Sequence, residues 1–322
     1  MDLKAENKRL IAIGEALIDF IPSETGRFIK EVGAFMPKVG GAPANVCGAF
    51  SRLGGTSAII TQLGKDPFGD KIVDEFTEYN IDCDYIRRTD NANTSLAFVS
   101  LQKDGNREFS FYRKPGADML YDKSYIQREW FDNCQIMHFC SVSLGDFPMR
   151  DAHRIAIEYA REAGAIISFD PNLRPALWNS KEDMIRAVKD YIPQADIVKI
   201  SDEELEDICG SSVIESALDS LFTGNVKLVI YTEGAKGTSA FTRKNKAYAK
   251  GIKVKAVDTT GAGDGFIGSF LYCLARDGIT VNDIEELRSD TLRTYLEYAN
   301  RFSAKSVMRE GSLASYPTAA EF

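Results

Sequence analysis

The sequence predicts an α/β fold: a doubly wound, mostly parallel sheet flanked by helices, with a small β-sheet attached. From Cys134 onward, short apolar runs alternate with helical patterns, which is typical of parallel strands joined by right-handed crossovers. Upstream, strand-like runs at 95–102 and 107–113 surround Lys103-Asp104-Gly105-Asn106, and an Asp-Gly between such runs predicts a β-hairpin. The 322 residues allow one large domain or two ordinary ones.

The chain opens with strand signals and one well-bounded helix. Residues 9–22 are predicted to form an opening strand broken by Gly14. A helix over 44–53 begins near Pro43 and ends at Gly54-Gly55, since proline favours the first turn of a helix and glycine its end. The other predicted strands are 56–63, 135–139, 165–170, 197–200 and 227–232, and the other predicted helices are 67–79, 150–163, 181–191, 263–276 and 289–308.

The composition is that of a soluble globular chain, with 44% hydrophobic and 27% charged residues. The formal charge of 39 − 47 = −8 argues against a nucleic-acid partner, because such proteins present basic surfaces. No long apolar run predicts a membrane span, and Met1–Arg9 has no signal-peptide core. The six cysteines form no C-x-x-C pair and the two histidines are too few for a typical zinc site, so we expect reduced thiols and a cytoplasmic protein.

Residues 257–270, VDTTGAGDGFIGSF, are the most informative segment. A strand ends, a turn of small residues follows and an apolar helix begins, so the amides of Gly261, Ala262 and Gly263 would form an anion site at a helix N-terminus. A carboxylate at Asp264 would repel a phosphate there, but it could accept the proton of a hydroxyl that attacks the phosphate. The alternative is a tight turn in which Asp264 caps the helix.

Other motifs for phosphate binding or catalysis were considered. Gly263, Gly265 and Gly268 fit the dinucleotide fingerprint G-x-G-x-x-G, which raises the alternative of an NAD-dependent oxidoreductase. The match lies near the end of the chain instead of in an opening βαβ unit, and it puts Asp264 where a pyrophosphate would sit. A Walker A sequence, the protein-kinase motifs and the hydrolase G-x-S-x-G are absent from the sequence. A phosphotransferase would therefore use a different phosphate cradle.

Two earlier segments carry residues suited to a sugar. Gly40 and Gly41 precede a helix and allow a ligand close to the backbone, while the Asn45 amide can both donate to and accept from hydroxyls. Asp19 interrupts an apolar strand end, and its carboxylate can accept two hydroxyls. The alternatives are a tight loop at 40–45 and a solvent-exposed aspartate at 19.

Together these segments resemble the PfkB carbohydrate kinases, which are ribokinase-like enzymes, over nearly the whole chain. DTTGAGDGF and GGAPAN match the family's two motifs, and GEALIDF with GGAPANVCGAFSRLGG looks most like the fructokinases. The resemblance implies one kinase domain over 1–322, with a ribokinase-like fold and a lid contributed by about 28–39 and 95–113. It implies phosphorylation of a small sugar, with fructose to fructose 6-phosphate as the best guess. ATP, Mg²⁺, K⁺ and a homodimer formed through the lid are further expectations.

The resemblance also implies a role for each site residue. Asp264 takes the position of the catalytic base, and Gly261, Ala262 and Gly263 that of the anion hole. The sugar-binding positions are Asp19, Gly40, Gly41, Asn45, Phe98 and Arg113, and the nucleotide-binding positions are Arg174, Thr232, Gly234 and Asn300. The monovalent-cation positions are Asp258, Thr260, Ser306, Arg309, Gly311 and Ser315. Where the family often has N-x-x-E near magnesium, this chain has Ser201 and Glu204, so Glu204 is expected to reach Mg²⁺ through water.

Three alternatives remain open. The acceptor could be 2-keto-3-deoxygluconate, ribose, tagatose phosphate or a nucleoside, and a sugar acid would need a cation such as Arg107 or Arg113. The glycine fingerprint keeps the oxidoreductase open. The protein could also be a non-catalytic sugar or nucleotide sensor, although a pure binder has little need of a base such as Asp264 beside a phosphate.

Overall fold

A computed structural model describes residues 9–101 and 107–322. Over these residues the strands are β1 (Arg9–Ile13), β2 (Leu17–Pro22), β3 (Phe35–Gly40), β4 (Thr56–Gly64), β5 (Ile81–Asp82), β6 (Ile86–Thr89), β7 (Leu96–Leu101), β8 (Arg107–Tyr112), β9 (Cys134–Cys140), β10 (Ile166–Asp170), β11 (Ile197–Ser201), β12 (Leu228–Thr232), β13 (Gly237–Phe241) and β14 (Lys246–Lys250). The α-helices are α1 (Ala42–Arg52), α2 (Pro67–Glu78), α3 (Pro148–Glu162), α4 (Lys181–Tyr191), α5 (Asp202–Cys209), α6 (Ile214–Leu221), α7 (Ala262–Arg276) and α8 (Ser289–Ser306).

The main sheet has the order β14-β13-β12-β11-β10-β9-β1-β4-β5, and β6 pairs with β4. Its pairs are parallel from β12 through β9 and β1 to β4, β5 and β6, whereas β13 and β14 are antiparallel. The prediction of a doubly wound, mostly parallel sheet flanked by helices is therefore confirmed.

Helices cover both faces of this sheet, which is why its strands are apolar throughout. Leu10 and Ala12 of β1 belong to a buried cluster with α1, α7 and α8. Ile11 and Ile13 point the other way, into a cluster with α3, α4, α5 and α6. Residues of a strand alternate between the faces of its sheet, so covering both faces buries all four side chains.

A separate small sheet has the order β3-β2-β7-β8. Strand β2 runs antiparallel to β3 and parallel to β7, while β7 and β8 form an antiparallel pair. The sequence predicted this second sheet from its hairpin signal. In the predicted lid segment 28–39, the strand that joins the small sheet begins only at Phe35. Residues 29–31 form a short 3₁₀ turn.

The opening strand over 9–22, predicted to be broken by Gly14, is two strands that belong to different sheets. The chain changes sheets between Ile13, which pairs with Ile60 and Phe139 in the main sheet, and Leu17, which pairs with Gly40 in the small one. Hydrophobicity could not reveal the change, because both halves of the segment are apolar. The sequence analysis also did not assign β13 and β14, a hairpin at the edge of the main sheet.

Two predicted features fall outside the described residues: the hairpin turn at 103–106 and most of the amino-terminal segment 1–9. Among the helices of the described ranges, none combines the length and the apolar character needed to span a membrane. The six cysteines are free thiols, four of them buried.

Candidate active site

The predicted site residues gather at the carboxyl ends of the parallel strands, where open α/β sheets bind ligands. Asp170, Ser201 and Thr232 end the adjacent strands β10, β11 and β12. Asp19 on the small sheet lies close enough to Asp264, at the start of α7, for their charges to interact. The site therefore lies where the small sheet faces the edge of the main sheet.

The turn before α7 presents backbone amides at the helix N-terminus. Gly261 adopts a left-handed conformation with φ of 72°, and a Cβ there would lie 2.8 Å from the Tyr316 hydroxyl, so only glycine fits. The first helical hydrogen bond runs from the Gly265 N–H to the Gly261 carbonyl, at 2.8 Å. The amide of Ala262 donates to the Thr259 carbonyl at 3.2 Å, so the Gly263 amide is better placed for an anion.

Asp264 is a buried carboxylate held by two amide side chains. The Nδ2 of Asn45 donates to its Oδ2 at 2.8 Å, and the Nδ2 of Asn172 donates to its Oδ1 at 3.4 Å. Burial raises the pKa of Asp264, although the Asn45 hydrogen bond and the charges of Arg174 and Lys199 oppose that rise. A raised pKa brings the carboxyl closer to the strength of base that proton abstraction needs.

The predicted sugar-binding residues Asp19, Gly40, Gly41 and Asn45 surround this carboxylate. Asp19 on β2 lies beside Gly40 of β3, and a Cβ at Gly40 would come within 2.1 Å of the Asp19 Oδ2. Burial raises the pKa of Asp19 to about 7 against the opposing charge of Arg174. Gly41 is the N-cap of α1, which carries Asn45 toward Asp264.

Phe98 and Arg113 occupy different environments. Phe98 stacks on Phe20 at 4.5 Å between ring centroids and meets Tyr112 edge-on, so it forms part of the aromatic surface of the small sheet. Arg113 is buried, and its Nε donates to the Asp118 Oδ2 at 2.8 Å. Because its charge is already paired, a direct contact with the sugar stays a prediction. The side chain of Arg107 lies outside the described residues.

A cavity of about 290 Å³ opens beside Arg174 and Glu204. The Oε1 of Glu204 accepts from the Leu173 N–H at 2.7 Å, and its Oε2 accepts from the N–H and hydroxyl of Ser201. Burial alone would raise the pKa of Glu204, but the Lys199 charge and these hydrogen bonds lower it. Ser201 is also the N-cap of α5.

The sequence analysis missed two residues of the site, Lys199 and Asn172. Lys199 on β11 is buried and forms an ion pair with Asp170, with Nζ 3.0 Å from Oδ2. The carboxylates of Asp170, Glu204 and Asp264 raise the pKa of Lys199, although burial alone would lower it. Asn172 has a φ of 45°, a strained conformation that is common at functional sites.

The predicted nucleotide residues Thr232, Gly234 and Asn300 lie along the β12 side of the site. Thr232 ends β12 and pairs with Ser201, and Gly234 lies in the turn that follows. The Oδ1 of Asn300 accepts from the Thr238 hydroxyl at 3.2 Å, and its amide donates to carbonyls of β14. Asn300 thus fixes α8 against the β13–β14 hairpin.

The predicted monovalent-cation residues come from two adjoining loops. The Asp258 Oδ1 accepts from the N–H and hydroxyl of Thr260, and its Oδ2 accepts from the Gly311 N–H at 2.9 Å. The hydroxyls of Ser306 and Ser315 bond to carbonyls three residues earlier. The side chain of Arg309 pairs with Glu321, so Arg309 could serve a cation only through its backbone.

The glycine fingerprint has a packing role. Gly265 and Gly268 lie inside α7, and not in a turn that could hold a pyrophosphate. A Cβ at Gly268 would come within 2.8 Å of the Val46 carbonyl oxygen of α1. Gly268 thus lets α1 and α7 approach each other, and a Cβ at Gly265 would lie 2.9 Å from the Tyr316 ring. Both glycines serve packing, so they give no support to an NAD-dependent oxidoreductase.

Comparisons with known proteins agree with this geometry. A family model described as pfkB family carbohydrate kinase matches residues 7–319. Probable fructokinase-5 of Arabidopsis thaliana is 40% identical over 318 residues, covering 98% of this chain and 97% of the plant protein. Fructokinase-2 of Solanum habrochaites is 41% identical over 314 residues, covering 97% and 94%.

Solved structures give the same result. The fructokinase of Xylella fastidiosa with bound ATP matches with a TM-score of 0.90 at 34% identity, covering 98% of this chain and 97% of that one. The fructokinase of Vibrio cholerae O395 in its fructose, ADP and calcium ion bound form matches with a TM-score of 0.84 at 33% identity, covering 97% of each chain. From its fold, its site and these matches over nearly its full length, the chain belongs to the PfkB family of carbohydrate kinases.

Proposed function

We propose that this protein is an ATP-dependent fructokinase that phosphorylates fructose to fructose 6-phosphate. The observation that carries the proposal is the buried carboxylate of Asp264, held beside an N-terminal helix amide by Asn45 and Asn172. A base next to an anion site suits transfer of a phosphoryl group to a hydroxyl. Fructose is the favoured acceptor because the relatives and structures described above are fructokinases.

The sugar would lie between the small sheet and Asp264. Asp19 supplies two acceptor oxygens at one side of this space, and the missing side chain at Gly40 leaves room for the Asp19 carboxylate itself. The Oδ1 of Asn45 is buried and has no hydrogen-bond partner among the described residues, so it can accept from a sugar hydroxyl. These groups would hold the primary hydroxyl near the Asp264 carboxylate.

In the transfer step, the sugar oxygen attacks the γ-phosphorus of ATP. The new O–P bond forms as the bond from the γ-phosphorus to the bridging oxygen of ADP breaks, and Asp264 accepts the hydroxyl proton. The Gly263 amide stabilises negative charge on the transferred group, because helix N-terminal amides point at it. Closure of the small sheet over the sugar would exclude water and so suppress hydrolysis.

ATP would lie along the ends of β10, β11 and β12. Arg174 is exposed at the mouth of the cavity, where its planar guanidinium suits phosphate oxygens. Lys199 lies deeper, and a Cβ at Gly263 would be 3.4 Å from its Nζ, so this ammonium approaches the anion site. Thr232 and Gly234 border the path toward the adenine end.

Magnesium fits this site through water. Both oxygens of Glu204 already accept hydrogen bonds from the protein, which leaves a carboxylate able to hold a hydrated ion but poorly free for direct coordination. Bound with ATP, the metal would neutralise charge on the phosphates. The protein's part is to keep Glu204 ionised, and its lowered pKa supports that role.

K⁺ is proposed for the two loops beside the anion site. Asp258 ties the turn at Thr260 to Gly311, so carbonyls of these two loops would hold a cation beside the turn that leads into α7. Carbonyl and carboxylate oxygens suit a hard monovalent ion. Its effect would be to fix the conformation of the turn that presents the amides.

A homodimer formed through the small sheet is proposed as well. Met36 on β3 and Phe109 and Tyr112 on β8 are exposed side chains on the two edge strands of the small sheet, and Phe28, which precedes the turn at 29–31, is exposed as well. Exposed apolar groups gathered on one small sheet favour association. Light scattering should give a mass twice that of the chain, and a monomer at micromolar concentration would contradict the proposal.

The decisive assay is ADP release from MgATP and K⁺ with fructose, ribose, glucose, 2-keto-3-deoxygluconate and adenosine in parallel. Turnover that is fastest with fructose, and lost in Asp264→Asn, is the expected result. Faster turnover with another acceptor would move the specificity and keep the Asp264 chemistry. Sugar binding without ADP release would favour the sensor instead.

A further inference from the structure

Four chain crossings join the small sheet to the rest of the molecule, and they converge on one buried polar cluster. Strand β1 passes to β2 through Glu15, and β3 passes to α1 at Ala42. Strand β6 passes to β7 through Ser95, and β8 returns through residues 113–118. The cluster consists of Glu15, Ser95, Arg113, Asp118 and Ser143, and we call it the hinge cluster.

Glu15 joins the first two crossings to the body. It is 3% exposed, and its Oε1 accepts from the Ala42 N–H at 3.2 Å. Its Oε2 accepts from the hydroxyl of Ser143, which follows β9 in the main sheet, at 3.0 Å. An ionised side chain at this depth persists only where hydrogen bonds and opposite charge compensate for its burial.

Arg113 and Asp118 join the other two crossings. The Asp118 Oδ2 accepts from the Arg113 Nε at 2.8 Å, and its Oδ1 accepts from the Ser95 hydroxyl. An Nη2 of Arg113 lies 3.5 Å from the Ser143 hydroxyl, which connects the pair to Glu15. The two halves of the cluster therefore meet at Ser143.

The crossings also touch sterically. Gly116 lies so close to the third crossing that a Cβ there would be 1.9 Å from the Ser95 Oγ and 2.8 Å from the Asp118 Oδ1. The backbone of Gly116 therefore packs against Ser95 with no space for a side chain between the two segments. A shift of one crossing must move the other.

We infer that the hinge cluster sets the orientation of the small sheet over the sugar site and that its members are positioning residues. Asp19 lies on the small sheet, whereas Asp264 lies on the body, so the gap between them depends on how the crossings are held. Glu15 also anchors the first turn of α1, and Asn45 on that helix holds Asp264. The inference rests on the fructokinase activity proposed above.

The same geometry gives Arg113 a role away from the substrate. Its guanidinium is paired with Asp118 and lies near Glu15, so its charge is already compensated within the cluster. A sugar acid would need an unpaired cation, and Arg113 does not provide one. The hinge cluster therefore favours a neutral sugar over 2-keto-3-deoxygluconate.

The test compares Ser95→Ala with Ser57→Ala. Both serines are buried and both hydroxyls are hydrogen-bonded. Ser57, however, lies near the start of β4, outside the hinge cluster, and its hydroxyl donates to the Cys47 carbonyl. Ser95→Ala should raise KM for fructose about tenfold, the factor expected when a hydrogen bond to a charged group is lost. It should also speed amide hydrogen exchange in β2, β7 and β8, while Ser57→Ala changes neither quantity.

Ser143→Ala gives an independent second variant, since it breaks the other half of the cluster. An unchanged KM for fructose, or unchanged exchange in the small sheet, in a folded Ser95→Ala or Ser143→Ala protein overturns the inference. A loss of thermal stability alone, matched by Ser57→Ala, also overturns it, because a purely structural role predicts that result. If the wild-type protein phosphorylates no fructose, the proposed function fails, and the exchange comparison still decides the hinge.

Discussion

Replacing Asp264 by asparagine isolates the proton-accepting role of this carboxylate. In the wild-type protein its two oxygens accept from Asn45 at 2.8 Å and from Asn172 at 3.4 Å. An asparagine at 264 can keep its oxygen toward Asn45 and turn its amide toward Asn172, whose own amide can rotate to accept. The variant thus keeps the shape and hydrogen bonds of the site and loses the base.

The expected loss is large. Positioned general bases contribute about 10²–10⁴ to rate, which corresponds to about 3–5 kcal/mol of activation free energy. The variant should not be destabilised, because burial raises the pKa of Asp264 and its ionised form is therefore costly to bury. We expect kcat with fructose to fall by about three orders of magnitude, the midpoint of that range, while the melting temperature does not fall below the wild-type value.

The assay is steady-state ADP release with fructose, beside a melting curve and an ATP-binding titration. A turnover within tenfold of wild type, in a folded variant that binds ATP, would refute Asp264 as the base. In the wild-type protein, the acidic limb of the pH profile of kcat/KM should lie above the usual aspartate range, because the pKa of Asp264 is raised.

Three further predictions concern the charges of the site. The pKa of Asp19 rises from 3.8 to about 7 on folding, so Asp19 lowers the free energy of unfolding as pH rises through that window. In calorimetry, Asp19→Asn should therefore melt at a higher temperature than wild type at about pH 8. This difference in melting temperature should shrink toward about pH 5. Lys199→Met leaves the buried Asp170 carboxylate without its ion-pair partner and should lower the free energy of unfolding in urea by about 3–5 kcal/mol. The double variant Lys199→Met/Asp170→Leu should recover most of that stability. Equal losses of stability in both variants would contradict the pairing. Exchanging K⁺ for choline at constant ionic strength should lower kcat several-fold, and equal rates would contradict a cation site at Asp258.

Most of the fold could be predicted because strands covered on both faces are apolar along their length and end at clear turn residues. Strands β9 to β12 follow this pattern and match their predicted positions to within a residue or two. The sequence could not assign Leu17–Pro22 to the small sheet. Hydrophobicity indicates that a strand is buried, but it does not indicate which strand pairs with it. The short β14 alternates exposed Lys246, Tyr248 and Lys250 with buried alanines, but lysine and alanine are both depleted in strands, so the composition did not indicate one.

Site residues could be predicted where they belong to a sequence motif. They could not be predicted where their role depends on a contact that only the folded chain creates. Lys199 could have been noticed as a charged residue inside a strand expected to be buried on both faces, since a lysine there must be paired. Asn172 gave no comparable signal, because its role depends on an unusual backbone conformation. The sequence also did not show that the charge of Arg113 is paired, because its partner Asp118 is recognisable only once the turn between them is built.

The charges explain how an acidic protein can serve a phosphorylated substrate. Four carboxylates, those of Asp19, Asp170, Glu204 and Asp264, interact with two cations, Lys199 and Arg174. Side-chain charge alone would therefore repel a triphosphate. Attraction must come from the N-terminal amides of α7 and from a metal that arrives with ATP, and neither of these enters a count of charged residues. The net charge of −8 is thus compatible with phosphoryl transfer because the binding charge is supplied by the backbone and the metal.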